Sequence, residues 1–358
     1  MDAANAGAAV TAAPWDRIAD LFEVPAPFAE PSSAYRSTLL FADGAPVRTP
    51  GEWVRRRVEM LEEWHALMGP WPDVLAHTKL DVLSVSRRET FTQERVAFQA
   101  SPGQRTEGWL LRPDGTGPFP AVFVPFYDPE TSVGLGTRPL RDFARQLTLA
   151  GFVTLSIGTP AGDARQPGRG RVTSQPLSYY AYVAANAWMA LAALPDVDAA
   201  RIGVVGHSYG GKWSMFAGAL WDRFAAVATS DPGIVFDETR TNVNYWEPWY
   251  LGEDASLTPR TPGLPTADNP RTGPYREMRE RGRDLHELHA LIAPRPFFVS
   301  GGAEDQPERW SALTHAVTVN RLLGYSHRVG MSNRPTHDPT AESNAQIVAF
   351  FEHFLKAV

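Results

Sequence analysis

Residues 202–212 read Ile202-Gly203-Val204-Val205-Gly206-His207-Ser208-Tyr209-Gly210-Gly211-Lys212. An apolar strand runs straight into Gly-x-Ser-x-Gly, and an amphipathic stretch follows. A serine on a sharp strand-to-helix turn takes a strained backbone, which presses together the residues two before and two after it. Side chains at 206 and 210 would collide there, so both positions favour glycine. The pattern therefore constrains the fold to a strand, a tight turn and a helix in immediate succession. It also singles out one atom, the Ser208 hydroxyl oxygen, as the candidate nucleophile. The competing reading is a glycine-rich β-to-α turn with no chemistry.

The segments around this turn repeat the same alternation. Short apolar runs at 121–127, 152–157, 201–206, 224–229 and 296–300 read as buried strands, with a further strand at 325–331. Helical patterns at 138–150, 177–194, 209–221, 309–323 and 340–356 separate them. Strands near 87–99 and 106–112 read as an antiparallel start. Alternation of this kind implies a mostly parallel sheet covered by helices on both faces. Ahead of it, residues 1–84 read as an Ala/Pro-rich arm followed by a cover helix. Thr49 caps that helix, Pro50 takes its first position and Glu52 completes a capping box. The helix runs through Trp53, Val54, Val58, Leu61 and Trp64 to Gly69-Pro70. Residues 85–358 then form the main domain. Residues 232–285 break its rhythm and read as an insertion over the mouth of the site, because a connection this long is rarely idle.

Composition limits the alternatives. The chain has 358 residues, 43% hydrophobic and 21% charged, with a net charge of −6. No basic cluster points to nucleic acid, and no cationic amphipathic stretch points to a membrane surface. No apolar run approaches the roughly 18 residues that span a bilayer. With no cysteine, a thiol nucleophile, a thiolate metal site and a disulfide are all excluded. The first residues lack a basic region followed by an apolar one, so they do not read as a signal peptide. A soluble protein is expected, with the compartment open between the cytoplasm and the periplasm or exterior. Oligomeric state is also open.

A serine hydroxyl needs a base to take its proton, and the base needs an orienting acid. In a fold with this turn the chain order is Ser, acid, His. His337 lies in the turn-rich loop Asn333-Arg334-Pro335-Thr336-His337-Asp338-Pro339, between the last strand and the last helix, and is the expected base. His327 within a strand, His315 within a helix and His353 near the chain's end read as structural. His286 and His289 could share a helix face, but no third metal ligand stands near them, and no metal is expected. His207 is expected to point away from the serine. For the acid, Asp305 is the choice, in the loop Gly301-Gly302-Ala303-Glu304-Asp305-Gln306-Pro307 after the strand ending at Ser300. Its neighbour Glu304 and the earlier Asp231, before Pro232, are the alternatives. Asp231 also reads as a turn residue. The oxyanion of a tetrahedral intermediate needs fixed donors. The Tyr209 amide is one, and the amide of Phe126 or Tyr127, after the strand 121–127, is the other.

Over residues 85–358, the turn at Ser208, the late Gly-x-x-Asp loop and the terminal histidine loop resemble the α/β-hydrolase superfamily. More narrowly, the chain resembles bacterial carbohydrate esterases, among them acetyl xylan esterases, dienelactone-hydrolase-like proteins and glucuronoyl esterases. Ser208-Tyr209-Gly210-Gly211-Lys212, and Leu291-Ile292-Ala293-Pro294-Arg295-Pro296 leading into a core strand, are similar to glucuronoyl esterases. In that family an arginine follows the nucleophile and assists the oxyanion; here the position holds Tyr209. The resemblance implies an α/β-hydrolase fold, a serine carboxylic-ester hydrolase without a cofactor, and a small-molecule or carbohydrate ester, acetyl or uronate, as substrate. It also implies a sugar contact at Lys212, which otherwise reads as a solvated or salt-bridged helix residue. Trp246, Trp249 and Trp310 are candidates to stack on a sugar or line an acyl pocket, against the usual core role of tryptophan. An amidase or peptidase on the same residues, and a binding protein without catalysis, are the competing functions.

Overall fold

The computed structural model describes residues 12–240, 250–254, 256–258 and 260–356. Its first helix, α1 (Pro50–Met68), begins as the capping residues dictate. The Thr49 hydroxyl accepts from the Glu52 amide, and the Glu52 carboxylate accepts from the Thr49 amide. Gly69, at φ 87°, ends the helix in a conformation that favours glycine. Trp53, Met60, Trp64 and Met68 form its buried stripe. Val54 and Val58 lie on the outer face instead, at 62% and 50% exposure.

The sheet then forms from β1 (Asp81–Arg88), β2 (Phe91–Ser101), β3 (Gln104–Pro113) and β4 (Phe119–Phe123), followed by the short α2 (Pro129–Ser132) and α3 (Phe143–Leu149). It continues with β5 (Val153–Ile157), α4 (Pro176–Ala192), β6 (Val197–His207), α5 (Tyr209–Leu220) and β7 (Ala226–Ser230). After α6 (Gly273–Glu280) and α7 (His286–Ile292) come β8 (Phe297–Gly301), α8 (Trp310–Leu322), β9 (Val329–Asn333) and α9 (Ala341–Phe351). The strand order is β1-β2-β3-β5-β4-β6-β7-β8-β9. The pairs β1–β2, β2–β3 and β3–β5 are antiparallel, and every other pair is parallel. This is an α/β-hydrolase sheet. Its first strand begins ahead of the expected start at 85 and was not anticipated, because it sits at the sheet edge almost wholly exposed and so lacks an apolar alternation.

Successive residues of the central strands feed opposite faces, as the two-residue strand period requires. Ala121, Phe123, Val204 and Val227 enter one hydrophobic cluster with α1, α4, α5, α7 and α8. Val122, Val124, Val205 and Ala228 enter the other, with α3 and α9. The layers hold the sheet rigid, and its C-terminal strand ends are where side chains can be presented to a ligand.

The N-terminal segment is tied to the first of these layers through histidines. His286 Nε2 lies 2.8 Å from the Arg36 carbonyl oxygen, and His315 Nε2 lies 3.2 Å from that of Ser32. Burial pushes His286 and His315 down to about 4, and His289 down to about 3. Each is neutral in the folded chain but takes a proton near pH 6.5 once unfolded. Their stabilisation is therefore complete above about pH 6.5 and is lost as pH falls toward 4. We expect the melting temperature to drop over that window, and to drop less in His289→Leu. Circular dichroism melts at pH 7, 5.5 and 4 would show it; a flat profile contradicts it.

Candidate active site

β6 ends at His207 and α5 begins at Tyr209, leaving Ser208 alone on the turn at φ 55°, ψ −117°. Few non-glycine residues adopt that conformation, and it is maintained by what surrounds it. The Ser208 amide donates to the Ser230 carbonyl (2.8 Å), and the Ser208 carbonyl accepts from the Lys212 amide (3.0 Å). The glycines are needed for the reason the sequence suggested. A methyl group on Gly206 would overlap the Gly210 carbonyl, and one on Gly210 would overlap the Pro125 carbonyl. Both obstacles are backbone and cannot swing away. We therefore expect Gly206→Ala and Gly210→Ala each to cost about 1–3 kcal/mol or more, read as a lowered denaturation midpoint. Unchanged midpoints would contradict this packing.

His337, in the loop between β9 and α9, places Nε2 2.9 Å from Ser208 Oγ. Its Nδ1 lies 2.7 Å from Asp231 Oδ2. Asp231 follows β7 directly, is fully buried, and sits in the left-handed region at φ 49°. Its carboxylate is held by three further contacts. Oδ1 accepts from the Asp305 amide (2.9 Å), and the Glu304 amide lies 3.1 Å and 3.2 Å from Oδ1 and Oδ2. The acid beside His337 is thus Asp231, and the expectation of Asp305 is corrected.

The reason lies in how the loop after β8 turns. Gly302 packs so closely that an added Cβ would sit 2.8 Å from Asp231 Oδ2. The loop therefore meets the site with its amides. The Asp305 side chain faces away and caps the start of the segment that follows β7, accepting from the amides of Gly233 and Ile234 at 2.7 Å each. Burial, and then the charge of Asp231, push the Asp305 carboxyl up to about 7. Glu304 also turns outward, its carboxylate paired with Arg240 Nη2 at 2.8 Å.

The expected oxyanion donors are backbone amides of Tyr209 and of Phe126 or Tyr127. Tyr209 opens α5, so its amide belongs to the first helical turn, which has no intrahelical acceptor. The Phe126 amide donates to the Ile157 carbonyl (3.2 Å) and is committed to the sheet, which removes it as an oxyanion donor. The Tyr127 amide has no backbone acceptor among the described residues. The Tyr209 side chain points inward. Its ring stacks on Tyr127 with centroids 4.5 Å apart, and its hydroxyl lies 3.1 Å from Thr159 Oγ1. Full burial pushes its phenol well above the usual range.

The proposed substrate contacts fare differently. Lys212 is 3% exposed, with Nζ 4.8 Å from the Tyr250 ring centroid, so it is no solvated surface residue. Trp310, at 4% exposure, packs into the core at the start of α8 and offers no face to a sugar, correcting that expectation. Trp246 and Trp249 lie outside the described residues. Two residues of the site escaped the sequence. His207 packs beside the base and behind the acid's strand: its ring lies 4.7 Å from that of His337, and its Nδ1 lies 3.1 Å from Ser230 Oγ. Burial holds it well below the ordinary histidine range, and hence neutral. Arg334, in the histidine loop itself, is buried behind the triad.

No family model matches the chain. Among curated proteins, it is 27% identical over 192 residues to a carbohydrate esterase of unknown prokaryotic origin, covering 45% of this chain and 40% of that one. It is 27% identical over 181 residues to a 4-O-methyl-glucuronoyl methylesterase of Hypocrea jecorina (strain QM6a), covering 44% of this chain and 36% of that one. The matches thus span well under half the length of either relative. A solved glucuronoyl esterase from Solibacter usitatus superposes with a TM-score of 0.69 at 20% identity, covering 90% of this chain and 98% of that one. This likeness shows a shared fold.

Proposed function

We propose that this chain is a serine carboxylic-ester hydrolase working through an acyl-enzyme on a carbohydrate-linked ester, acetyl or uronate. The observation that carries the reading is the unbroken chain of Ser208 Oγ, His337 Nε2, His337 Nδ1 and Asp231 Oδ2, with steps of 2.9 Å and 2.7 Å, on a strained turn. Ser208 Oγ attacks the ester carbonyl carbon while His337 Nε2 takes its proton. Asp231 accepts from Nδ1–H, which fixes the tautomer and stabilises the imidazolium that forms. The carbonyl oxygen gains charge and is received by the amides of Tyr209 and Tyr127. His337 returns the proton to the departing alcohol. Water then attacks the acyl carbon while giving a proton to the same nitrogen, and as the bond to Ser208 Oγ breaks that proton passes to Oγ and the acid is released. Every step uses a group of this chain, and none calls for a cofactor.

The names of the two curated relatives support the carbohydrate-ester substrate. The site itself supports the serine-ester chemistry. Its Tyr209 phenol is turned away, so charge on the oxyanion falls to main-chain amides. Initial rates on acetylated xylan, methyl glucuronate esters, p-nitrophenyl acyl esters and a matched p-nitrophenyl amide test the reading. Turnover of an ester well above the amide, with a carbohydrate ester among the substrates, is expected. Turnover of none of the esters would overturn it.

A further inference from the structure

We infer that Arg334 is a positioning residue that holds the three strand ends of the triad in register; the inference rests on the triad proposed above. Arg334 is 5% exposed, and its guanidinium is fully engaged. Nε donates to the Asp338 carbonyl at 2.8 Å. Nη1 donates toward the Ser300 carbonyl (2.9 Å), the Ser300 hydroxyl (3.0 Å) and the Gly301 carbonyl (3.1 Å). Nη2 donates to the His337 carbonyl (2.8 Å) and the Ser230 hydroxyl (3.1 Å). These acceptors belong to the end of β7, the end of β8 and the loop after β9.

Each acceptor borders a catalytic group. Ser230 precedes Asp231, and its carbonyl receives the Ser208 amide. Gly301 precedes Gly302, the residue packed on the Asp231 carboxylate. The His337 carbonyl belongs to the base itself. One planar cation therefore spans the acid, the loop that cradles the acid, and the base. The geometry also explains why the residue is arginine. The acceptors lie in three directions around a plane, which a fork of five N–H groups matches and a single ammonium cannot. Without the fork, the His337 loop loses its buried ties to the ends of β7 and β8 and keeps only those made by Asn333, His337, Asp338 and the backbone, and displacement of a catalytic group by about 1 Å can cost on the order of 10²-fold in rate. Arg334 is 5% exposed with its donors engaged inside the protein, so its loss is expected to act on the reaction step and not on substrate binding.

The test reads the resting protein as well as turnover. Proton NMR detects the hydrogen held between His337 Nδ1 and Asp231 as a far-downfield signal that needs no substrate, so it is informative even if the chain hydrolyses none of the esters above. In Arg334→Lys and Arg334→Ala we expect that signal to broaden or vanish. We also expect kcat on a p-nitrophenyl ester to fall about 10- to 100-fold with KM within about twofold, a loss confined to the reaction step. Guanidinium added to Arg334→Ala should restore part of both. A folded Arg334→Lys with the downfield signal and kcat of the wild type overturns the inference, as does a loss expressed in KM alone. If neither arginine variant folds, Ser230→Ala decides. It removes one acceptor and leaves the cation, and an unchanged signal there counts against the role.

Discussion

Ser208→Ala is expected to abolish ester hydrolysis and covalent labelling by a fluorophosphonate. Removal of a triad serine costs on the order of 10⁶ in kcat, because the remaining base and oxyanion donors have no nucleophile to serve. The substitution removes one oxygen and keeps the Cβ that the turn already accommodates at φ 55°. The fold should therefore persist, with a melting temperature close to that of the wild type. Intact-mass spectrometry before and after the probe, beside a p-nitrophenyl ester assay, gives the answer. An adduct on Ser208→Ala, or activity above a trace, would place the chemistry elsewhere.

The second large effect separates two aspartates that are both fully buried and linked to each other. Asp231→Asn should lower kcat on the order of 10⁴, since an amide there favours the wrong tautomer of His337 while leaving the geometry in place. Asp305→Asn should leave kcat within about tenfold and reduce stability instead. Its carboxylate now satisfies the Gly233 and Ile234 amides; an asparagine has one acceptor oxygen for two donors, and a buried donor without a partner costs about 1–3 kcal/mol. Kinetics and chemical denaturation of both variants, side by side, distinguish the roles. A catalytic collapse in Asp305→Asn with an active Asp231→Asn would reverse them.

That pair also shows where reading the sequence stops. Most strands and long helices and their order were legible because burial leaves a period in the chain; the short α2, α6 and α7 were not, and His327 lies in the turn before β9 instead of within a strand. The capping box at Thr49 and Glu52 was legible because it is local, within one turn of helix. Ser208 was legible because its glycine neighbours answer a steric need within five residues. The choice of acid was not. Asp231 and Asp305 each follow a core strand, and both are possible by position alone. What decides between them is the path of the β8 loop, set by the packing of Gly302 against Asp231 across 70 residues of chain. The same holds for β1, whose exposed residues carry no apolar alternation, and for His207, whose direction depends on Ser230 in the neighbouring strand. Trp310 was misjudged for a related reason: its place after a loop suggested solvent, but it opens α8 with its ring in the core.

The tie between the Tyr209 hydroxyl and Thr159 has a practical corollary for anyone dissecting this site by mutagenesis. With that phenol engaged elsewhere, both groups proposed to receive the developing charge, the amides of Tyr209 and Tyr127, belong to the polypeptide chain itself. Alanine scanning cannot delete them, because alanine carries the same N–H. A survey of side chains would thus assign the site too little transition-state stabilisation and would credit the balance to the triad. Replacing the amide of Tyr209 or Tyr127 with an ester linkage, by semisynthesis or nonsense suppression with an α-hydroxy acid, removes one N–H while sparing the ring.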